Sequence, residues 1–284
     1  MNKEPVPRAG AQPKYGIMRQ AQFPPNTAFF RFFEELNDFL PLHKRKTRFE
    51  YAFDGTPSVK DAIEALGVPH TEVDLITVNG ASQGFDCRLA CGDAACVYPL
   101  FESLDISPVV KLRPAPLREP AFVCDVHLGS LARLLRLAGF DTLYRNDYSD
   151  NAIVEIASPG KRCILTRDRG ILKRKAVVRG YCVRSTQPRE QAREVMLRFD
   201  LRGAMKPFSR CIGCNGTIGR VDKESVLPLL PEKTRECYHE FYRCGSCGKI
   251  YWQGSHYAKL TSDIEDLRNA ASAKDPSPRS LTPP

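Results

Sequence analysis

The sequence predicts a mixed α+β domain, then a parallel α/β domain, then a small cysteine-held module, and three observations predict it. Between residues 28 and 98 the pattern reads strand, strand, helix, strand, strand. Between residues 121 and 168 it reads strand, helix, strand, helix, strand, with an aspartate just past the first and third strands. Two Cys-x-x-Cys pairs follow, Cys211/Cys214 and Cys244/Cys247.

The 284 residues suffice for two or three domains, since typical domains run about 100–150 residues. No stretch approaches the ~20 apolar residues that cross a bilayer. The first 25 residues hold no continuous hydrophobic segment of the secretory type. The expectation is a cytoplasmic protein with no membrane partner. Eleven cysteines, an odd number, then point to metal ligands and free thiols rather than a disulfide framework. The net charge of +9 is unevenly spread: residues 27–112 carry 8 Lys/Arg against 13 Asp/Glu, residues 121–200 carry 15 against 9, and residues 201–284 carry 13 against 9. A basic second and third part suits an anionic partner, most simply nucleic acid.

Residues 1–26 are rich in Pro, Gln and Ala without periodicity and read as a flexible leader. The β-prone run 28–33, a charged loop at Lys44-Arg45-Lys46 and the alternating run 48–53 predict a β-hairpin. Val59, Ile63 and Leu66 form a helical apolar stripe behind Ser58, which with Asp61 makes an acidic capping box, and Gly67 ends the helix. Residues 75–78 and 95–98 are the remaining strands, the first closed by a turn at Asn79-Gly80. This is a β-grasp order, and it resembles ubiquitin-like folds. Cys87, Cys91 and Cys96 have no Cys-x-x-Cys pair near them and read as small hydrophobes. Residues 108–120 contain four prolines and read as a semi-rigid linker.

The run 121–124 ends in Asp125. Leu128, Leu131, Leu135 and Ala138 share a helix face, with Gly139 at its C-cap and Arg133 and Arg136 pointing elsewhere. Residues 141–145 form a second strand; Ile153, Val154, Ile156 and Ala157 mark a second helix; and Cys163-Ile-Leu165 is a buried strand leading to Asp168. Right-handed crossovers make such strands parallel and bring their ends to one edge, so Asp125, Asp150 and Asp168 converge. Three carboxylates together repel unless a cation neutralises them, and hard oxygen ligands suit Mg2+ or Mn2+. Arg133, Arg136, Arg167, Arg169 and Lys173, with Arg145, Arg174 and Lys175 nearby, are available to hold a polyanion, or are simply solvated surface charges. Asp150 can equally be a first-turn acid behind the N-cap Ser149. Asp147 is a further ligand candidate. Glu155 is not, since five residues past Asp150 it points roughly 140° away. His127 either contacts phosphate or is incidental.

The cysteine pairs let four thiolates reach one tetrahedral ion, with Gly216 and Gly248 relieving backbone crowding. Such a closed site implies structural Zn2+. The 29 residues between the pairs exceed the usual roughly 15–20, and residues 222–236 are read as an inserted loop. Cys237 and His239 are spare ligands, and two independent redox pairs are the rival reading. Tyr251 and Trp252 stack on bases or form the module's small core. Beyond about Asp266 the Ser, Pro and Ala content predicts a disordered tail.

The spaced motifs Asp125-x-x-Leu-Gly-x-Leu-Ala-Arg-x-Leu-Arg136, Leu-x-x-Ala-Gly-Phe-Asp-Thr142, Ser149-Asp150 and Leu165-Thr-Arg-Asp-Arg-Gly170 resemble the Mut-seven C-terminal ribonuclease family, a branch of the PIN-like nucleases. The stretch Tyr98-Pro-Leu-Phe-Glu-Ser-Leu-Asp105 is similar to the end of the ubiquitin-like module that precedes those nucleases. The resemblance covers residues 28 to about 260. It implies a metal-dependent ribonuclease on a PIN-like, flavodoxin-like parallel sheet with helices on both faces, its acidic metal ligands being Asp125, Asp150 and Asp168.

The expected organisation is a leader (1–26), a ubiquitin-like β-grasp domain (27–107), a linker (108–120), a PIN-like nuclease domain (121–203), a zinc ribbon (204–262) and a tail (263–284). The expected function is hydrolysis of RNA by an aspartate-held Mg2+ or Mn2+, with the zinc ribbon aiding RNA binding and the ubiquitin-like module free to meet a protein partner. The alternative is a non-catalytic module that binds tRNA or ribosomal RNA. A phospho-acceptor receiver also gathers acids at this sheet edge, but it needs paired acids after the first strand and a lysine after the last. Here Cys124 precedes Asp125 and Gln187-Pro188 follows the final strand.

Overall fold

The computed structural model describes residues 26–99, 112, 119–158 and 162–270. The leader, nearly all of the linker, the 100–105 part of the ubiquitin-like motif and the end of the tail lie outside the described residues.

The first unit contains β1 (Asn26–Phe32), β2 (Phe49–Phe53), α1 (Val59–Ala65), β3 (Val73–Val78), β4 (Ala81–Gln83) and β5 (Ala94–Pro99). They form a five-stranded sheet in the order β2-β1-β5-β3-β4, with the central β1–β5 pair parallel and every other pair antiparallel. The expected hairpin is β1–β2. The Ser58–Asp61 capping box opens α1 in both directions. Asn79 and Gly80 both take positive φ, the requirement of a two-residue turn, and so add the short β4 that the sequence pattern lacked. Phe30, Phe32, Ile63, Ile76 and Val97 are buried between sheet and helix.

The second unit runs β6 (Ala121–Cys124), α2 (Gly129–Leu137), β7 (Asp141–Leu143), α3 (Asp150–Ala157), β8 (Cys163–Thr166), α4 (Arg169–Leu172), β9 (Gly180–Cys182) and α5 (Pro188–Arg198). Its four strands are all parallel, in the order β7-β6-β8-β9. Alternation along each strand separates two faces. Phe122, Cys124, Cys163, Leu165 and Tyr181 pack with α2 and α5. Val123, Ile164 and Cys182 face the other way, toward α3 and α4. The cysteines here serve as packing groups, and burial pushes the Cys182 thiol up to about 11.

The third unit holds β10 (Ile218–Val221), α6 (Lys223–Val226), α7 (Glu232–Cys237), β11 (Phe241–Cys244) and β12 (Ile250–Tyr251), in sheet order β10-β11-β12. The expected loop 222–236 is instead helical, because Val226 and Leu230 pack on Phe241 and give the ribbon a small core. The final helix, α8 (Tyr257–Ala270), corrects the expected start of the tail at 263: Ile264 and Leu267 bury against the α2–α5 face. Among the described residues no helix is long and apolar enough to cross a membrane.

The first two units share one continuous apolar core. Ile153, Ile164, Ile171, Leu172 and Val177 of the second join Phe39, Ile63 and Val68 of the first. Glu72, fully buried, anchors the seam. Its Oε1 accepts the Cys182 N–H at 2.6 Å, satisfying the outer edge of β9. Its Oε2 faces Arg198 at 3.5 Å and Arg184 at 3.8 Å, and Arg198 also reaches Glu35 at 2.8 Å. His70 adds a contact to the Val177 carbonyl at 3.0 Å. Removing one partner of a buried charge cluster leaves the others unpaired and costs about 3–5 kcal/mol. Glu72→Ala is expected to lower the unfolding free energy by about that much in urea titrations, while Glu50→Ala, an exposed control on β2, changes it by less than about 0.5 kcal/mol.

Candidate active site and metal centre

Asp125 and Asp168 stand at the carboxyl ends of β6 and β8, neighbouring strands at the point where the sheet order reverses. The Asp125 amide donates to the Leu165 carbonyl at 3.0 Å, which continues the ladder one residue past β6 and fixes where its side chain begins. The Asp125 side chain is buried, and its Oδ2 accepts from Thr166 Oγ1 at 2.7 Å. The same hydroxyl accepts the Asp168 N–H at 2.8 Å. Asp168 itself is exposed and caps α4, its Oδ1 accepting the Gly170 N–H at 2.7 Å. Thr166 thus links the Asp125 carboxylate to the backbone of Asp168. The motif Leu165-Thr-Arg-Asp contains it, yet its role needed the geometry, because a strand-end threonine reads as β propensity alone.

Asp150 opens α3 behind the N-cap Ser149, whose Oγ accepts the Ala152 N–H. Its carboxylate is paired with Arg174 at 3.2 Å, and the same arginine bonds Asn151 at 2.7 Å. Among the described residues, the three aspartates do not close into a group with all ligand oxygens within 4.8 Å; the four-cysteine cluster does. Asp147 is held in an exposed two-pronged pair with Arg145 at 2.7 and 2.9 Å. His127 and Glu155 are exposed.

The basic residues divide. Arg167 is exposed between Thr166 and Asp168, and Arg133 is exposed on α2. The expectation that Arg136 holds a polyanion is corrected: it is buried, and its guanidinium donates to the carbonyls of Thr142, Ile212 and Gly213. Arg169 donates to the Phe39 carbonyl and lies over that ring, and Lys173 donates to the Glu64 carbonyl at 2.7 Å. Both tie α4 to the first unit, which leaves Arg133 and Arg167 as the expected contacts still available to a phosphate.

All four sulfurs of Cys211, Cys214, Cys244 and Cys247 lie within 4.8 Å of one another. The pairs Cys211–Cys247 and Cys214–Cys244 stand 3.7 and 3.4 Å apart. Tetrahedral thiolates at about 2.3 Å from a metal are roughly 3.8 Å apart, so the donor set fits one ion. Each pair forms the same turn, in which the Asn215 amide donates to the Cys211 carbonyl at 2.9 Å and the Gly248 amide to the Cys244 carbonyl at 3.0 Å; the Cys214 amide also donates to Cys211 Sγ and the Ser246 amide to Cys244 Sγ, both at 3.4 Å. Burial raises the Cys211 thiol, but the Tyr251 hydroxyl and the amides of Cys214 and Gly213 outweigh it and pull it down to about 6. Cys237 and His239 are exposed and stay outside the cluster.

After each second cysteine the chain turns left-handed, at Asn215 and at Gly248. Gly216 instead supplies space, since a Cβ there would meet Ser246 Oγ at 2.4 Å and Cys244 Sγ at 2.8 Å. The Asn215 side chain reaches into the second unit. Its Oδ1 accepts the Thr142 N–H at 3.0 Å, and its Nδ2 donates to Asp141 at 2.7 Å. Burial opposes charge on Asp141, but Arg162, Asn215 and Arg210 outweigh it and hold its carboxyl below the usual range. Asn215→Ala loses two hydrogen bonds of about 1 kcal/mol each and adds left-handed strain of about 1 kcal/mol. Denaturant titration should register a loss of about 2–3 kcal/mol while one metal ion per chain is retained; loss of the ion with unchanged stability would contradict this assignment.

The comparisons with known proteins agree with this architecture. A family model described as Mut7-C RNAse domain matches residues 120–264, and one described as Mut7-C ubiquitin matches residues 25–105. A curated relative, the human (Homo sapiens) "Exonuclease mut-7 homolog", is 24% identical over 242 residues, covering 57% of this chain and 28% of that protein. The chain therefore spans little more than a quarter of that relative's length. No solved structure matches the chain. Half of the chain falls within a single family model, with the companion ubiquitin model directly ahead of it, so the chain belongs to the Mut7-C RNAse domain family.

Proposed function

We propose that the chain is a metal-dependent ribonuclease that hydrolyses RNA phosphodiester bonds at the Asp125–Asp168 edge. One observation carries the reading: one hydroxyl, Thr166, holds both the Asp125 carboxylate and the backbone amide of Asp168, so two aspartates stand at the carboxyl ends of adjacent parallel strands, where the strand order reverses. Open α/β sheets bind their ligands at that point. Mg2+ keeps several waters and needs only one or two carboxylates, so Asp125 and Asp168 suffice as its holders, and Asp150 would join on release from Arg174. When bound, such a cation polarises the phosphodiester and lowers the pKa of a water. The chain's own residues do the rest. Thr166 orients Asp125, the α4 cap fixes Asp168, and Arg167 offers a charge to the phosphate beside it.

Four thiolates with no open position favour structural zinc in the ribbon. The ribbon then aids RNA binding, and a protein partner would meet the side of the ubiquitin-like module that the nuclease sheet leaves uncovered. The units are taken as 27–107, 121–203 and 204–262, the last extended by α8. Eleven cysteines with no disulfide among them favour the reducing cytoplasm.

A non-catalytic RNA-binding role is favoured by one observation, the Asp150–Arg174 pair that keeps the third carboxylate engaged. Cleavage separates the two. Structured and single-stranded RNAs incubated with Mn2+ should be cut by the wild-type chain. Asp168→Asn should slow cutting at least about 100-fold, and Thr166→Val, which removes only the orienting hydroxyl, about 10–100-fold. Mapping of product ends then tests the exonuclease direction that the relative's name suggests. RNA bound but uncut in every metal would sink the ribonuclease reading.

A further inference from the structure

Away from the aspartate edge, a groove of about 820 Å3 lies between the ribbon sheet, α2 and α8. Its lining joins three sources: Arg133 from α2, Tyr242, Lys249, Tyr251 and Trp252 from the ribbon, and Lys259 from α8. Such a volume is near the upper end of the roughly 300–1,000 Å3 that holds one small organic molecule, so it has room for a short piece of chain.

Its charge is one-sided. The groove's acid, Asp263, is already paired with Arg189 at 2.5 Å. Arg133, Lys249 and Lys259 are exposed, and among the described residues none of the three has an ion-pair partner. Lys249 lies 5.7 Å from the Tyr251 ring centroid. Tyr242 and Tyr251 are cross-strand partners on β11 and β12, so their side chains leave the same face of the ribbon sheet, and both are half-buried. Trp252 packs on Phe241 at 6.5 Å and is half-buried too. Aromatic side chains that line a groove, bordered by unpaired cations, are what unpaired nucleotides need: bases stack on rings and phosphates meet cations. A duplex hides its base faces and offers only the second of these contacts.

We propose that this groove seats an unpaired stretch of RNA, its bases on the Tyr251–Trp252 side and its phosphates on Arg133, Lys249 and Lys259. The proposal rests on the ribonuclease reading and names where its substrate is gripped. Helix α2 links the two places. It begins at Gly129, four residues after Asp125, and Arg133 lies one turn further, about 6 Å along the axis. A strand leaving the groove past Arg133 therefore runs toward the carboxylate edge.

Trp252 is the chain's one tryptophan and lines this groove, so tryptophan emission reads the wall on which the bases would sit. The full chain carrying Asp168→Asn, which keeps RNA uncut, is titrated with an eight-residue oligouridine, a hairpin duplex and an abasic oligomer of equal length. A fluorescein-labelled oligouridine gives total binding by anisotropy. Oligouridine should quench Trp252, with much weaker quenching by the duplex and the abasic chain. Arg133→Ala/Lys259→Ala should weaken Kd at least tenfold and flatten the log–log salt slope by about 1.4, for two contacts at about 0.7 each. Unchanged circular dichroism and metal content would show that this variant is folded. Binding by anisotropy without Trp252 quenching, or with affinity unchanged in the variant, puts the RNA elsewhere and overturns the proposal while leaving the cleavage assay to judge the ribonuclease reading. Equal quenching by the abasic chain or the duplex overturns it as a seat for unpaired bases, and no binding by either readout overturns it outright.

Discussion

A fully buried carboxylate, Glu72, sets the relation between the two larger units. It comes from the ubiquitin-like unit, yet its hydrogen-bond donor is the backbone of β9 and its counter-charges are Arg184 and Arg198. A charge without water must be paired where it lies, so this contact fixes the ubiquitin-like sheet against one edge of the nuclease sheet. The effect reaches the candidate active site through α4, which has only four residues. A helix that short does not hold itself. Arg169 and Lys173 fasten it to Phe39 and Glu64 of the other unit, and Asp168 is its cap. The ubiquitin-like unit is thus part of what holds a candidate catalytic carboxylate in position.

Much of this was legible in the sequence, for identifiable reasons. The strand-then-aspartate runs at 121–125 and 163–168 mark β6 and β8 because buried parallel strands read as short apolar blocks. The capping box at Ser58 and the Cys-x-x-Cys pairs are local devices whose spacing is their mechanism. What escaped is long-range. Gly180-Tyr-Cys182 is too short to announce a strand and becomes one by pairing with β8. Arg136 looked like a surface cation, because nothing local reveals that the carbonyls of Ile212 and Gly213, some 76 residues on, await it. Asn215 hid behind the neighbouring glycine, though asparagine is the other residue that tolerates a left-handed turn.

The ribbon is also bound to the nuclease sheet, but at the opposite edge. Arg136 and Asn215 join β7 to the turn that carries Cys211 and Cys214. Gly139, at φ +97, lets residue 206 pass so closely that a Cβ would lie 2.1 Å from its carbonyl oxygen. Cysteine cluster, turn and sheet edge are therefore one assembly, and the floor of the α2–α8 groove is part of it.

The continuous core beneath the first two units also bears on how such a chain can change over generations. Ile164 and Val177 lie on one side of a seam whose other side is built by Phe39 and Val68. A lineage that dropped the ubiquitin-like unit would bare that apolar face and would have to recolour it with polar side chains at several positions together. The α6–α7 excursion between the two cysteine pairs, by contrast, packs on the ribbon's own Phe241 and takes no part in that seam. Separation of the two units would thus be felt first as bare apolar surface, whatever stands at Asp125 and Asp168.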